Sequence, residues 1–352
     1  MPLSDYVRAE FIKNAGWSGA VGVPVGEDWS LRKFFRIQKD GRSAILIQSV
    51  PDDDPRSVMG HKLGDFVTIS KYLNSIEVSA PRVLAQDLRK GLLLVEDFGL
   101  HDFASVIVNE PYRQKDLYQV ATRCLIHIYQ KSEFVPVELP DYFSYYVHTA
   151  RRRVVDWYFP AVLGRSNKSG LVDDYAKVWY AIEKGLPQPA RRFLHIDFHP
   201  GNLMYLPDRR GIQQVGLIDF QGAVMGPAPY DLVNLLEDAR RDVPADIKTH
   251  CLNLFLASLL PEERESYEAW YPVLATQFHF RIIGQAIKLA LREKKTKLID
   301  LLPILQHHIR KDLEHPLLLP MKIWMDEEGI RFNESEKFDL GKISTYIADD
   351  AY

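Results

Sequence analysis

The sequence predicts an α+β fold, with a small β-rich N-terminal lobe and a large, mostly helical C-terminal lobe. Three observations predict it. Short β-rich runs joined by turn signals dominate up to the connector VEDFG (95–99). Apolar residues at helical spacing dominate from residue 111 onward. One polar island, FLHIDFHPGNLM (193–204), followed by LIDF (217–220), interrupts that helical texture between apolar runs.

In order along the chain, residues 3–15 are amphipathic and read as a helix. LRKFFRI (31–37) and SAILIQSV (43–50) read as strands around the turn KDGR (39–42), a hairpin signal. PDDDP (51–55) breaks the pattern, and Asp52, Asp53 and Asp54 read as a solvated loop. HKLGDFVTISKYLNSI (61–76) has helical periodicity. RVLAQD (82–87) and LLLVED (92–97) form a further strand pair around LRKG. Helices are expected at 111–131, 141–164 and 172–184, then strands at VGLID (215–219) and, with weaker patterning, NLMYL (202–206). Further helices are expected at 228–241, 246–259, 262–294 with a break near Pro272, 298–313 and 317–326. The chain thus divides into an N-terminal lobe (1–98), a helical lobe carrying the polar island (99–328) and a polar tail with scattered aromatics (329–352). A cleft between lobes is the usual place for a small-molecule site.

Composition narrows the classes of function. A chain of 352 residues, 46% hydrophobic and 26% charged, suits a globular protein with a substantial core. The net charge of −3 supplies no basic field, so binding to nucleic acid or to an anionic membrane is not expected. Two cysteines, Cys124 and Cys251, are too few for a disulfide framework or a cysteine-based zinc site. The N-terminal stretch MPLSDYVRAEFIKNAGW scatters charge where a secretory signal needs a continuous apolar region. No apolar run approaches the ~18 residues of a membrane span. A cytoplasmic location is the expectation.

The polar island reads as chemistry. His195, Asp197 and Asn202 form H-x-D-x4-N, and Asp219 closes an apolar strand. A polar group cannot be buried there cheaply without partners. Phosphoryl transfer needs a carboxylate near the acceptor hydroxyl and a few hard oxygen ligands for magnesium, because positioning and charge neutralisation dominate the reaction. Asp197 suits the first role, Asn202 and Asp219 the second, and His195 suits bracing the loop.

HIDFHPGN together with LIDFQG resembles the catalytic and metal-binding segments of the aminoglycoside phosphotransferase and choline-kinase-like family, small-molecule relatives of protein kinases. The resemblance covers most of the chain and implies a protein-kinase-like two-lobe fold with ATP and Mg2+ as cofactors. It implies an interlobe hinge at LLLVEDFG, where backbone groups near Glu96 to Phe98 contact adenine. It also implies that Asp231, in GPAPYDL, braces the catalytic loop. A narrower set of segments, SLRKFFRI, SVPDDDP, DFQGAVMGPAPYDLVNLLEDARRDVP and IIGQAIKLALREKKTKLIDLLP, is similar to the N-acetylmuramate/N-acetylglucosamine anomeric kinases of cell-wall recycling. That similarity implies an amino sugar as the small-molecule substrate.

One departure stands out. Protein-kinase-like enzymes carry a strand lysine that grips the phosphates, and here AILIQSV offers Ile47 or Gln48 instead. Arg32, Lys33 or Arg36 on the preceding strand is the expected substitute, with alternation placing Arg32 and Arg36 on one face. The loop before it, VGEDWSLRKFF, offers Gly26 and Ser30 for phosphate binding but no glycine-rich repeat. Among acceptor-side candidates, His199, Trp157, Asp238 and Arg240 are assigned to substrate. The run Arg151–Arg152–Arg153 reads as a solvated helix face. Two competing functions remain open on sequence: phosphotransfer to an aminoglycoside or another small metabolite, and a non-catalytic pseudokinase.

Overall fold

The computed structural model describes residues 5–25, 32–58, 60, 62–333 and 338–352. Its contacts gather into two compact units, Met1–Leu139 with His195–Val224, and Pro140–Leu194 with Met225–Tyr352.

The first unit is built on a five-stranded antiparallel sheet in the order β1-β2-β3-β5-β4. Its strands are β1 (Val21–Pro24), β2 (Lys33–Lys39), β3 (Arg42–Gln48), β4 (Val83–Asp87) and β5 (Leu92–Glu96). Strands β2 and β3 meet with Lys39 opposite Arg42, which leaves Asp40 and Gly41 as a two-residue turn. Both have positive φ, +49° and +72°, the primed-turn geometry that matches strand twist. Alternation then sorts the side chains. Ile37, Ala44, Leu46, Leu92 and Leu94 turn to one face and bury Phe11 and Trp17 from the N-terminal helix α1 (Asp5–Ile12) and the π-type turn after it. Arg32, Phe34, Arg36, Ile45, Ile47 and Val95 turn to the other face, where they line a cavity.

The PDDDP segment is more than a solvated loop. Both carboxylate oxygens of Asp52 accept from the backbone N–H groups of Leu63 and Gly64, each at 2.8 Å. Asp52 therefore caps helix α2 (Leu63–Ser75) from outside its own sequence neighbourhood. Asp54 is held by Arg56, whose side chain bonds it at 2.8 and 2.9 Å.

The hairpin Leu203–Tyr205/Val215–Leu217 joins this unit through Leu217 N–H to Ser79 O at 2.8 Å and a bridge between Asp102 and Met204. Helices Phe103–Asn109 and Gln114–Lys131 complete it. β1 and the helix at 103–109 are too short to leave a periodic signal. Cys124 is fully buried, and burial pushes its thiol up to about 12.

The second unit is helical around a 32-residue helix, Pro261–Arg292. The expected break at Pro272 does not occur. An interior proline costs about 3 kcal/mol, but Val273, Leu274, Phe278, Phe280, Ile283 and Ile287 are all buried beyond it. Burying each such side chain is worth ~1.5–3 kcal/mol, so packing carries the helix through.

The expected helix over 141–164 is instead a chain of short turns, with a π-type turn at Val154–Tyr158. Residues 154–159 are all buried, so no polar face exists for a regular amphipathic helix. A Cβ at Gly284 would lie 2.2 Å from Arg153 O, so main chain meets main chain there. Nor are the three arginines a solvated face. Arg151 pairs with Glu183, Arg152 with Asp156 at 2.9 Å, and Arg153 lies over the Tyr352 ring.

The tail is docked within this unit. Phe332 stacks on Tyr158, Trp157 Nε1 donates to Tyr352 O, and Tyr352 N–H donates to Asp156 Oδ2 at 3.0 Å. No helix among the described residues is long and apolar enough to cross a membrane.

Candidate active site

The strand Arg191–Leu194 runs into the polar island, where the backbone turns sharply; Ile196 adopts φ +66°. His195 is fully buried. Its Nε2–H donates to Ile218 O at 2.9 Å, and its Nδ1 faces the Asp197 N–H at 3.4 Å. That pattern requires the neutral Nε2–H tautomer. Burial, partly opposed by the charges of Asp197 and Asp219, holds His195 below its ordinary value, consistent with that tautomer. His195 thus ties the loop carrying Asp197 to the segment carrying Asp219.

Asp197 is solvent-accessible and held from two sides. Asn202 Nδ2 donates to its Oδ2 and to its backbone O, both at 3.1 Å. His199 Nδ1 accepts from Gly201 N–H at 3.1 Å, which leaves Nε2 facing Asp197 Oδ2 at 3.6 Å. The two bonds donated by Asn202 Nδ2 orient its amide, so Oδ1 is the outward end.

Asp219 also adopts a positive φ, +60°. Its Oδ1 accepts from Gln221 Nε2 at 2.7 Å and Arg32 Nη2 at 3.1 Å. Asn202 Oδ1 and Asp219 Oδ2 accept no hydrogen bond among the described residues. An amide oxygen and a carboxylate oxygen are the donor chemistry a hard divalent cation takes.

Asn202, Asp219 and Gln221 line one end of a cavity of about 610 Å³ whose walls are the Arg32–Phe34–Arg36 face of the sheet and the 95–99 segment. The cations on that face come from β2 and its approach, because Ile45 and Ile47 present aliphatic side chains there. Arg36 grips Asp97 with two bonds, 2.6 and 3.0 Å, and donates to Gly99 O at 2.7 Å. Burial works to raise the Asp97 carboxyl, but Arg36 and the Gly99 N–H outweigh it and hold it below its usual range. Lys33 points away and is exposed. The backbone N–H of Phe98 makes no hydrogen bond among the described residues. Its ring is buried against Met204 and Leu206, and a Cβ at Gly216 would stand 2.7 Å from it.

The remaining expected residues fall elsewhere. Ser30 and Gly26 lie outside the described residues. Asp231, Asp238, Arg240 and Trp157 belong to the second unit. Asp231 is buried in the first turn of the helix Pro229–Leu236. Asp238 is buried and accepts from the Arg240 N–H at 3.2 Å, while Arg240 reaches solvent. Trp157 is 1% exposed, and Lys288 and Arg292 sit over its ring, so it is packed in the core.

The sequence model of the phosphotransferase enzyme family matches residues 21–271, about seven-tenths of the chain. The chain belongs to that family. This phosphotransferase is 28% identical to an N-acetylmuramate/N-acetylglucosamine kinase of Caulobacter vibrioides, over 92% of this chain and 96% of that one. It is 27% identical to an enzyme of the same name from Pseudomonas aeruginosa, over 85% and 86%. Among solved structures it is similar to an aminoglycoside 2′-phosphotransferase in complex with GDP, with TM-score 0.58, 13% identity and coverage of 89% and 100%. It is also similar to a choline/ethanolamine kinase family protein of Mesorhizobium loti, with TM-score 0.58, 12% identity and coverage of 90% and 97%. At those identities the structures establish the fold: the phosphotransferase has the kinase-like α+β architecture.

Three features of the candidate site have no signal in the linear sequence: the Arg36–Asp97 clamp, the Gln221 bond to Asp219, and Arg209. Arg209 Nη2 donates to Glu96 Oε1 at 2.6 Å while its guanidinium lies over the Phe98 ring. Each joins residues far apart in the chain or depends on a side-chain direction.

Proposed function

We propose that this phosphotransferase transfers the terminal phosphoryl group of Mg-ATP to the anomeric hydroxyl of an amino sugar, N-acetylmuramate or N-acetylglucosamine. The carrying observation is the Asp197 carboxylate, accessible yet fixed by Asn202, beside two outward oxygens on Asn202 and Asp219. The names of the relatives that span most of the chain supply the acceptor class. An aminoglycoside phosphotransferase of the same fold that binds ADP and hygromycin B together lends support for a nucleotide and a small acceptor.

In this reading Asp197 accepts the proton of the acceptor hydroxyl as the oxygen attacks phosphorus. An anomeric hydroxyl is more acidic than an ordinary alcohol, so a carboxylate suffices as base. Asn202 Oδ1 and Asp219 would hold magnesium, which when bound neutralises charge on the terminal phosphates. Arg32, beside Asp219, replaces the missing strand lysine by donating to the phosphates. The free Phe98 N–H meets the purine edge, and Ile45, Ile47 and Val95 cover its faces. His195 holds Asp197 and the Asp219 segment in register.

An ADP-release assay with N-acetylmuramate, N-acetylglucosamine and a panel of aminoglycosides tests the proposal. Turnover on one or both amino sugars, with a product that has lost its reducing end, is expected. Turnover on aminoglycosides alone overturns the acceptor assignment. Tight Mg-ATP binding with no turnover on any acceptor overturns the kinase reading in favour of a binding module.

A further inference from the structure

Within the helical unit, on side chains that the phosphotransfer reading does not use, lies a largely buried group with metal-site chemistry. Glu237 follows the helix Pro229–Leu236, His279 lies in the helix Pro261–Arg292, and His308 lies in the helix Leu302–Asp312. One ligand atom from each lies within 4.8 Å of the other two. His279 is fully buried and His308 is 8% exposed.

The arrangement behind His279 gives the group its direction. Its Nδ1 lies 2.6 Å from Asp312 Oδ2, one helical turn after His308. A carboxylate on one imidazole nitrogen fixes the tautomer and turns the lone pair of the other outward, the arrangement found behind most metal-binding histidines. Here the outward Nε2 meets a second acceptor, the Glu237 backbone O, at 3.2 Å. Two lone pairs facing each other require a cation between them or a proton on the ring.

A second observation points to a ligand. His308 makes no hydrogen bond through either ring nitrogen among the described residues. Its ring stacks parallel to that of His279, with centroids 5.1 Å apart, so the two imidazole edges can share one side. Glu237 completes the set. Its Oε1 accepts from Tyr271 OH at 3.1 Å and its Oε2 from Lys248 Nζ at 2.7 Å. Each carboxylate oxygen keeps a further acceptor direction.

We propose that Glu237, His279 and His308 form a binding site for a zinc-class divalent cation, with Asp312 orienting His279 from behind. Two imidazoles and one carboxylate suit zinc better than magnesium or calcium, and three protein ligands leave a fourth position for water. Zinc bonds of ~2.0–2.1 Å place tetrahedral ligands roughly 3.3 Å apart. Side-chain rotation closes that difference, with Lys248, which reaches in from the surface, giving way. The cation would tie together three segments far apart in sequence, which is a stabilising role and independent of phosphotransfer.

The test uses the full chain, stripped with chelator, then dialysed against micromolar ZnCl2 at pH 7.5 and analysed for metal. One equivalent of zinc, with a rise in melting temperature, is expected. His308→Ala should retain none, and Asp312→Asn should bind ~10–100-fold more weakly. Cobalt(II) added to the wild-type protein should give the intense visible absorption of a tetrahedral site, a readout that needs no variant. Less than a tenth of an equivalent in the wild type, or no such absorption, overturns the proposal. Undiminished binding by folded His308→Ala also overturns it. The cluster is then an ion pair in which a protonated His279 donates to Asp312 and Glu237 O.

Discussion

Arg32 Nη2 donates to Asp219 Oδ1 at 3.1 Å, joining the approach to β2 to the end of a segment 187 residues later. The arginine side chain is 8% exposed and the aspartate 42%. The guanidinium is therefore packed in place while the carboxylate keeps one oxygen open to the cavity. A fixed positive charge beside a candidate metal ligand is what phosphoryl transfer requires where the strand lysine is absent. Arg32 and the metal ligands would act on the same phosphates from adjacent positions.

Arg32→Ala should weaken nucleotide binding by about 10–100-fold, since a hydrogen bond to a charged group is worth ~1.5–3 kcal/mol. Arg32→Lys should recover part of that loss, because a point charge remains without the fork geometry. Titration of Mg-ATP by calorimetry reads both. Equal affinity in wild type and Arg32→Ala would remove Arg32 from the phosphate site.

Asp197 and Asp219 should separate in kinetics. Asp197→Ala should lower turnover by ~10²–10⁴, the usual worth of a positioned base, with Mg-ATP affinity nearly intact. Asp219→Ala should abolish magnesium-dependent nucleotide binding while the protein stays folded. Single-turnover rates and binding isotherms on the same preparations distinguish the two. Identical defects in both variants would refute the division of roles.

The grouping at the core of the candidate site was legible in sequence because its residues are close together there. H-x-D-x4-N and the following aspartate are set by chain spacing and by apolar strands on either side. Arg32 and Arg36 were legible as a pair because strand alternation fixes which residues share a face. Asp97 was not legible as the Arg36 partner, because nothing local specifies which strand a guanidinium reaches. The same holds for Asp52, whose partner N–H groups lie eleven and twelve residues away. The 141–164 segment misled for a different reason. Its apolar residues fit helical spacing, but they are buried on all sides, and the close approach of Gly284 sets the backbone path instead.

Asp52→Ala should destabilise the first unit by ~1 kcal/mol, within the usual ~0.5–2 kcal/mol for loss of a side-chain helix cap. Two backbone donors at the start of α2 lose their acceptor together. Urea unfolding followed by circular dichroism measures the change. Asp53→Ala is the control, because no bond to its side chain appears among those found for the cap. Equal stability of Asp52→Ala and wild type would show that water replaces the cap at no cost.

His148 supplies a pH test of the buried network in the second unit. Burial pulls its value below the ordinary 6.5, although Glu183 pulls the other way. Its Nε2 lies 3.2 Å from Glu183 Oε1, and Arg151 also binds that carboxylate. Below about pH 6.5 the unfolded chain protonates this histidine while the folded protein keeps it neutral. The unfolded state then binds more protons, so stability falls as pH falls, and the loss stops once pH passes below the depressed folded value. Glu183 is itself held below its ordinary 4.5, despite burial, by His148 and Arg151, so its own contribution is lost only at lower pH. Between pH 7.5 and 5.5 the stability of wild type should therefore fall more steeply than that of His148→Gln, by up to ~1.4 kcal/mol per pH unit. Urea titrations of both proteins at four pH values give the two slopes. Parallel slopes would mean that folding leaves proton binding at His148 unchanged, and a shallower fall in wild type than in His148→Gln would mean that the ring is protonated in the fold as an ion-pair partner of Glu183.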